Sequence, residues 1–202
     1  PLAGGVVLDL SGLADVVSVE PGVVVAGAGA LCEDVDRAAR ETGQELRMHP
    51  STKETATIGG FVAGGSGGVG SVRWGALRDP GNILGLRVAT MEAEPQLIDL
   101  VGSEVHQVHH AYGVNGVIVR VTMPLAPLPR PGWVELLLAH PDWLAANRFA
   151  ERIANERGLW LKEVATVQAP APHRYFLRHR RFLEEGDNLV AVMAAPAYGL
   201  ST

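Results

Sequence analysis

Between Thr57 and Gly75 the chain reads TIGGFVAGGSGGVGSVRWG, and eight of the seventeen residues from Gly59 onward are glycine. Ordering glycine costs more backbone entropy than ordering any other residue, so a folded domain needs a reason for such density. A flexible linker would be Gly and Ser with little else. Here Ile58, Phe61, Val62, Val69, Val72 and Trp74 interleave with the glycines, which describes a loop pinned to a core whose backbone a ligand can approach closely. Successive bare N–H groups in such a loop form nests that bind phosphate without a lysine. Lys53 and Lys162 are the only lysines in the chain. A pyrophosphate bound here would therefore depend on backbone N–H groups, because buried charge is costly unless hydrogen-bonded. Ile58, Gly59 and Gly60 read as a helical turn aimed at an anion. Ser51, Thr52 and Thr57 add hydroxyls.

Three other spacings bear on chemistry. Val23–Cys32, VVVAGAGALC, reads as a strand, Gly27-Ala28-Gly29 and a helix, the way a dinucleotide-binding turn opens. The third glycine position holds Cys32, and Glu45 begins the next strand where an acidic residue should end it. Gly27 and Gly29 are therefore read as a tight strand-to-helix turn. His106 and His110 stand i, i+4, as zinc ligands on one helix face would, with His109 beside them. A third ligand and an acidic partner at helical spacing are missing. The letters G-x-S-x-G occur only at Gly64–Gly68, inside the glycine run, where no nucleophile elbow is read, and there is no Walker loop. Nucleophilic hydrolysis and P-loop phosphoryl transfer are left without support. The lone Cys32 excludes an internal disulfide and fits a reducing, cytoplasmic compartment. It reads as a small buried apolar residue, although its place at a helix start could lower a thiol pKa.

The elements that would hold these motifs follow from periodicity. Val6–Leu10 and Val16–Val19 read as short strands, with Val23–Ala26 after the Pro21-Gly22 turn. Leu31, Val35, Ala38 and Ala39 are at helical spacing, stopped by Gly43. Strands follow at Glu45–Met48, Ile83–Thr90, Gln96–Leu100 and Val117–Met123, with a short helix at Glu104–Tyr112. The proline-rich segment 125–131 reads as a linker between a first domain, 1–124, and a second, 132–202. In the second, Trp133–Ala139 is strand-like, and Trp143–Arg157 is an amphipathic helix capped by Asp142. Leu159–Thr166 and Leu189–Ala194 are further strands. The fold class is α+β.

Composition narrows the function. With 202 residues and 47% hydrophobic content, the chain has ample material for a core. Its net charge of −5 argues against nucleic acid or an anionic membrane surface as partner. No apolar run reaches the length of a membrane span. The basic run His173–Arg181 reads as a solvated face. Pro1 in place of Met and the ending at Ser201-Thr202 read as those of a fragment.

HPST followed by ATIGGFVAGGSGG, then RWG and RD, resembles the second FAD-binding loop of the vanillyl-alcohol-oxidase/para-cresol-methylhydroxylase flavoproteins. The look is nearest to the branch of the glycolate-oxidase D-subunit and D-lactate dehydrogenase. LAGGVVLDLSGL, VEPGVVVAGAGAL and GVNGVIVRVTMPLAP support it in the family's order, from about Gly4 to Pro127. Two departures stand out. Gly65-Ser66-Gly67-Gly68 replaces the family's common N-A-G-G, and the first pyrophosphate loop expected before LAGG is not in this sequence.

The resemblance implies FAD as cofactor, in a domain followed by the start of a substrate-facing cap. Pro50, Ser51, Thr57, Gly59, Gly60, Ser66 and Gly67 fall on family positions near the FAD. Thr52, Ile58 and Gly68 complete the candidate set in this loop. Trp74 stands where the family often has Tyr before Gly, and core packing is its alternative role. Gly116, Val117 and Ile118 fall where the family meets the adenine end. The implied reaction is oxidation of a small hydroxylated substrate, a 2-hydroxy acid such as glycolate or D-lactate, with an acceptor protein or quinone as electron partner. Other readings are an alcohol or alditol oxidase on the same fold, a nicotinamide-linked reductase, and a non-catalytic nucleotide-binding remnant. The catalytic base is unassigned.

Overall fold

In a computed structural model, residues 4–130 and 132–197 are described, so Pro131 of the proline-rich segment and the first residues of the LAGG block lie outside the described residues. The chain divides into two compact units. One joins the residues up to Gly68 with Trp74–Leu128; the other joins Val69–Arg73 with the residues from Pro129 onward.

The first unit is built on an antiparallel sheet. Its order is β1-β2-β6-β4-β5, where β1 is Val16–Glu20, β2 Val23–Gly27, β4 Gly85–Ala89, β5 Leu97–Val101 and β6 Val117–Pro127. The short β3, Gln44–Leu46, pairs with the far end of β6. Strand β6 runs through Pro124 to Pro127, where the sequence pattern alone suggests that a linker has begun. Proline gives the ladder no N–H and is tolerated where pairing changes hands. Pro124 faces Val23 at the last pair with β2, and Leu125 begins the pairing with β3.

Helix α1, Cys32–Glu41, buries Cys32, Val35, Asp36 and Ala39. Val35 and Ala39 lie on the face its spacing predicts, Leu31 and Ala38 are only half-buried, and the burial of Asp36 is not foreseen by that spacing. Helix α2, Ile58–Gly64, buries Ile58, Phe61 and Val62 in the same core as Val24, Ala26, Val121 and Met123. Burial pushes the Cys32 thiol up to about 12, with the nearby Asp36 charge adding to it. Asp36 is itself only 1% exposed. Its carboxylate accepts from the Leu46 amide at 2.9 Å, from Arg40 Nε at 2.9 Å and from Lys53 Nζ at 3.3 Å.

Two segments depart from their expected form. The run Val6–Leu10 forms no strand, and Val6 is 96% exposed. It leads instead into a turn closed by the Leu13 amide on Leu10 O. That turn lies over Gly27 and Gly29, where a Cβ would strike the Leu13 and Leu10 carbonyls. These glycines are thus required by the close approach of another backbone rather than by the tight turn read from their spacing. The expected helix at Glu104–Tyr112 is a 3-10 helix over Gly102–Gln107, followed by turns. His110 and Tyr112 there have φ of 58° and 51°, left-handed values that no α-helix accommodates.

The second unit is a three-stranded antiparallel sheet, ordered β7-β9-β8, of Val134–His140, Asn188–Pro196 and Leu159–Val167. Between α2 and this sheet in sequence comes the four-residue α3, Ser71–Trp74. Helix α4, Trp143–Ala154, packs Ala146 and Ala150 against Leu161, Val190 and Val192. Asp142 caps it as the sequence predicts, accepting from the Ala145 amide at 2.6 Å. The short α5, Ala171–Tyr175, precedes β9. Both units mix helix and antiparallel sheet, which makes the fold α+β.

Candidate functional site

The turn after β2, the first turn of α2, the turns before β6 and the start of β6 enclose a cleft of about 280 Å³ in the first unit. Thr57, Gly59 and Gly60 line it from one side, and Gly116, Val117 and Ile118 from the other. The two blocks, widely separated in sequence, thus meet at one place. Ile118 is buried and Val117 half-buried, so they form an apolar wall. Gly116 has φ of 143°, and a Cβ there would stand 2.7 Å from Val88 Cγ1; both features call for glycine.

The start of α2 is locally determined. Thr57 is extended and its Oγ1 accepts from the Gly60 amide at 3.1 Å, an N-cap. The Ile58 amide donates to Ala30 O at 2.8 Å and the Gly59 amide to Ala28 O at 2.9 Å. The expectation that these three N–H groups aim at an anion is therefore corrected, since each already has an acceptor within the protein. Gly59 and Gly60 also differ in kind. A Cβ on Gly59 would lie 2.5 Å from Ala28 Cβ and 2.8 Å from Ala28 O, whereas one on Gly60 would meet only Thr57 Oγ1, at 2.9 Å. Gly59 serves the packing of α2; Gly60 presents an open face.

The other predicted residues lie outside this cleft. Ile58 is buried in the core. Ser51 and Thr52 are exposed in the turn before α2, and Pro50 is half-buried beside them. Gly68 lies over this stretch, since a Cβ on it would strike the His49 carbonyl and come within 3.3 Å of Pro50 N. Ser66 and Gly67 are exposed, and their amides meet no acceptor among the described residues. Trp74 is half-buried against the core, with the Arg47 guanidinium 4.4 Å above its ring.

Sequence reasoning missed several lining residues. Leu8 and Leu10 line the cleft although their strand does not form, and Ala28, Ala63, Val108 and Tyr112 join them. Leu8 and Leu10 belong to the LAGG block and were within reach of the resemblance; Tyr112 carried no signal. The lining has neither a carboxylate nor a histidine, so the cleft can hold a flat apolar group, with the Tyr112 phenol its one ionisable side chain. His109, next to it in sequence, is 9% exposed and its Nε2 has no hydrogen-bond partner among the described residues. Burial pushes its pKa down, and the neighbouring His106, His110 and Arg78 push the same way. Among the described residues no group of three His, Cys, Asp or Glu side chains could hold a metal ion, and no helix is long and apolar enough to cross a membrane.

Comparison with known proteins bears on the same segments. The family model described as FAD binding domain matches residues 2–96. A D-lactate dehydrogenase of Archaeoglobus fulgidus is 29% identical over 140 residues, covering 64% of this chain and 30% of that protein. A D-2-hydroxyglutarate dehydrogenase of Xanthomonas citri pv. viticola is 31% identical over 125 residues, covering 57% of this chain and 25% of that protein. The chain thus spans less than a third of the length of these relatives. Among solved structures, two crystal forms of an alkyldihydroxyacetonephosphate synthase share the fold. Each has a TM-score of 0.68 at 15% identity over 93% of this chain, which covers 39% of one and 37% of the other.

Proposed function

We propose that the chain belongs to the flavoproteins with a para-cresol-methylhydroxylase-type FAD binding domain, and that the protein it forms part of is an FAD-dependent dehydrogenase of a 2-hydroxy acid. The 2-hydroxy acid is suggested by both curated relatives, whose names carry D-lactate and D-2-hydroxyglutarate. The observation that supports the cofactor's location is the meeting of Thr57–Gly60 with Gly116–Ile118 on one cleft, two of whose glycines, Gly60 and Gly113, are uncrowded. A Cβ at Gly113 would meet nothing within 4 Å, and one at Gly60 only the cap hydroxyl. Such a surface lets an aromatic ring approach backbone directly, so the residues fit part of a dinucleotide.

In this reading Thr57, Gly60, Gly116, Val117 and Ile118 hold one end of FAD by apolar contact and close backbone approach. The pyrophosphate takes the exposed Ser66 and Gly67 amides and the Ser51 and Thr52 hydroxyls, donors not committed within the fold. When bound, FAD supplies the electron acceptor for oxidation of the substrate's C–H bond. The chain's own contribution is to bind, orient and exclude water from the face it covers.

The test is to purify the full-length protein, record its visible spectrum and titrate the apoprotein with FAD. It should then be supplied with D-lactate, glycolate and D-2-hydroxyglutarate and an artificial electron acceptor. A flavin spectrum and turnover of at least one 2-hydroxy acid are expected. A colourless protein that takes up no FAD, or a flavoprotein inert toward every 2-hydroxy acid, overturns the proposal.

A further inference from the structure

Tyr112 is held where the ordinary preferences of a tyrosine would not put it. Its φ of 51° is left-handed, a conformation that side chains with a Cβ adopt at a cost. The ring is 73% exposed although it is large and mostly apolar. Tertiary contacts impose both. The Tyr112 amide donates to Ala63 O at 3.0 Å and the His110 amide to Val62 O at 3.2 Å, so the segment is tied along α2. The His110 ring meets the Tyr112 ring edge to face at 5.4 Å between centroids. Gly65 leaves the space that His110 fills, since any Cβ there would strike the imidazole.

Strain that the surrounding structure over-determines tends to gather at ligand clamps. The strained residue here lines the same cleft as Gly60, together with Leu10, Val108 and Ile118. An exposed aromatic ring beside an apolar wall is a surface for a flat π-system, and every purine has a π-face.

We propose that Tyr112 is the stacking residue for the adenine of the bound dinucleotide and that it makes the protein prefer FAD to FMN. The inference rests on the FAD reading above but adds a residue that neither the sequence blocks nor the comparisons single out. FMN lacks the adenine, so it gains nothing from this contact. ADP has the adenine without the flavin and reports on the contact alone. The backbone makes a second, independent demand. Glycine relieves left-handed strain, so Tyr112→Gly should stabilise the apoprotein while weakening the dinucleotide. A tyrosine with a purely structural role would lose stability on the same change.

The experiment titrates the full-length apoprotein with FAD, FMN and ADP for wild type, Tyr112→Phe, Tyr112→Ala and Tyr112→Gly, and records apoprotein melting for each. Stacking of a base on an aromatic side chain implies a loss of roughly tenfold or more in FAD and ADP affinity for the Ala and Gly variants. FMN affinity should stay unchanged, Tyr112→Phe should bind like wild type, and the Gly apoprotein should melt no lower than wild type. Wild-type FAD affinity in Tyr112→Ala overturns the inference and leaves the FAD reading intact. An equal loss for FMN also overturns it, by showing a general lesion. A wild-type protein that binds neither FAD nor ADP overturns both readings.

Discussion

Gly59 and Gly60 are adjacent, both glycine and both on the cleft, yet adding one methyl to each should have opposite consequences. At Gly59 the new Cβ would stand 2.5 Å from Ala28 Cβ, 2.8 Å from Ala28 O and 2.9 Å from Ala28 Cα. Backbone cannot swing aside, and overpacking of this kind costs about 1–3 kcal/mol. The gain of ~1 kcal/mol from replacing glycine inside a helix offsets only part of it. With each kcal/mol worth about 2–4 °C in a protein of this size, Gly59→Ala should melt several degrees below wild type. At Gly60 the methyl would meet only Thr57 Oγ1, at 2.9 Å. Rotating that hydroxyl away gives up a cap worth ~1 kcal/mol, which the helix propensity of alanine returns. Gly60→Ala should therefore melt like wild type. If its open face meets the cofactor, however, the same methyl stands in the contact, and a cost of about 1–3 kcal/mol becomes roughly a 5- to 150-fold rise in Kd for FAD. The assay pairs thermal melts of the apoproteins with flavin-fluorescence titrations of the full-length protein. Gly60→Ala that is both stable and unimpaired in FAD binding would refute the assignment of the open face. Gly59→Ala with an unchanged melt would refute the packing argument.

Three further outcomes follow from the buried groups. The folded Cys32 thiol titrates at about 12, raised from 9.0, so its contribution to stability is complete below pH 9 and is lost as the pH rises toward 12. Cys32→Ala should remove that part of the alkaline decline in denaturant midpoint, and native protein at pH 8 should resist iodoacetamide until it is unfolded. His109 is shifted the other way, below 6.5, so the stability it contributes is present above pH 6.5 and is lost as the pH falls through its lower folded value. Denaturant midpoints between pH 7 and 5 should fall less steeply for His109→Gln, and parallel curves would show that His109 is not the group. Asp36→Ala leaves the buried Leu46 amide without its acceptor, a loss of about 1–3 kcal/mol, while the partly exposed Arg40 and Lys53 keep Glu45 and Glu33. Urea unfolding reads it directly, and a loss under 1 kcal/mol would mean that the network reorganises.

How much of this was legible in the sequence depends on how local each cause is. The Asp142 cap and the burial of Val35 and Ala39 on α1 depend on a few neighbouring residues, and the sequence pattern suffices to find them. Pairing of the Thr57–Gly60 block with Gly116–Ile118 was legible only through resemblance, since nothing in either block names the other. The fate of the α2 amides was not legible at all. The Ile58 and Gly59 amides find their acceptors on the Ala30 and Ala28 carbonyls, in a turn distant in sequence. Nor does side-chain spacing announce left-handed backbone at a histidine and a tyrosine, so Glu104–Tyr112 read as a helix and Tyr112 went unnoticed.

The glycine run shows the limit most sharply. Its density correctly marks a place where backbone must come close to something, but the partner differs from one glycine to the next. Gly59 approaches Ala28, Gly65 makes room for His110 and Gly68 lies on the His49 carbonyl, whereas Gly60 faces open space and Gly67 is exposed. A glycine-rich motif in this fold is therefore two superposed requirements, one for packing α2 into its frame and one for a ligand. Substituting a glycine of the first kind lowers flavin retention only by damaging the frame, so loss of cofactor in such a variant carries no information about contact. Only the glycines with open faces can report on the ligand itself.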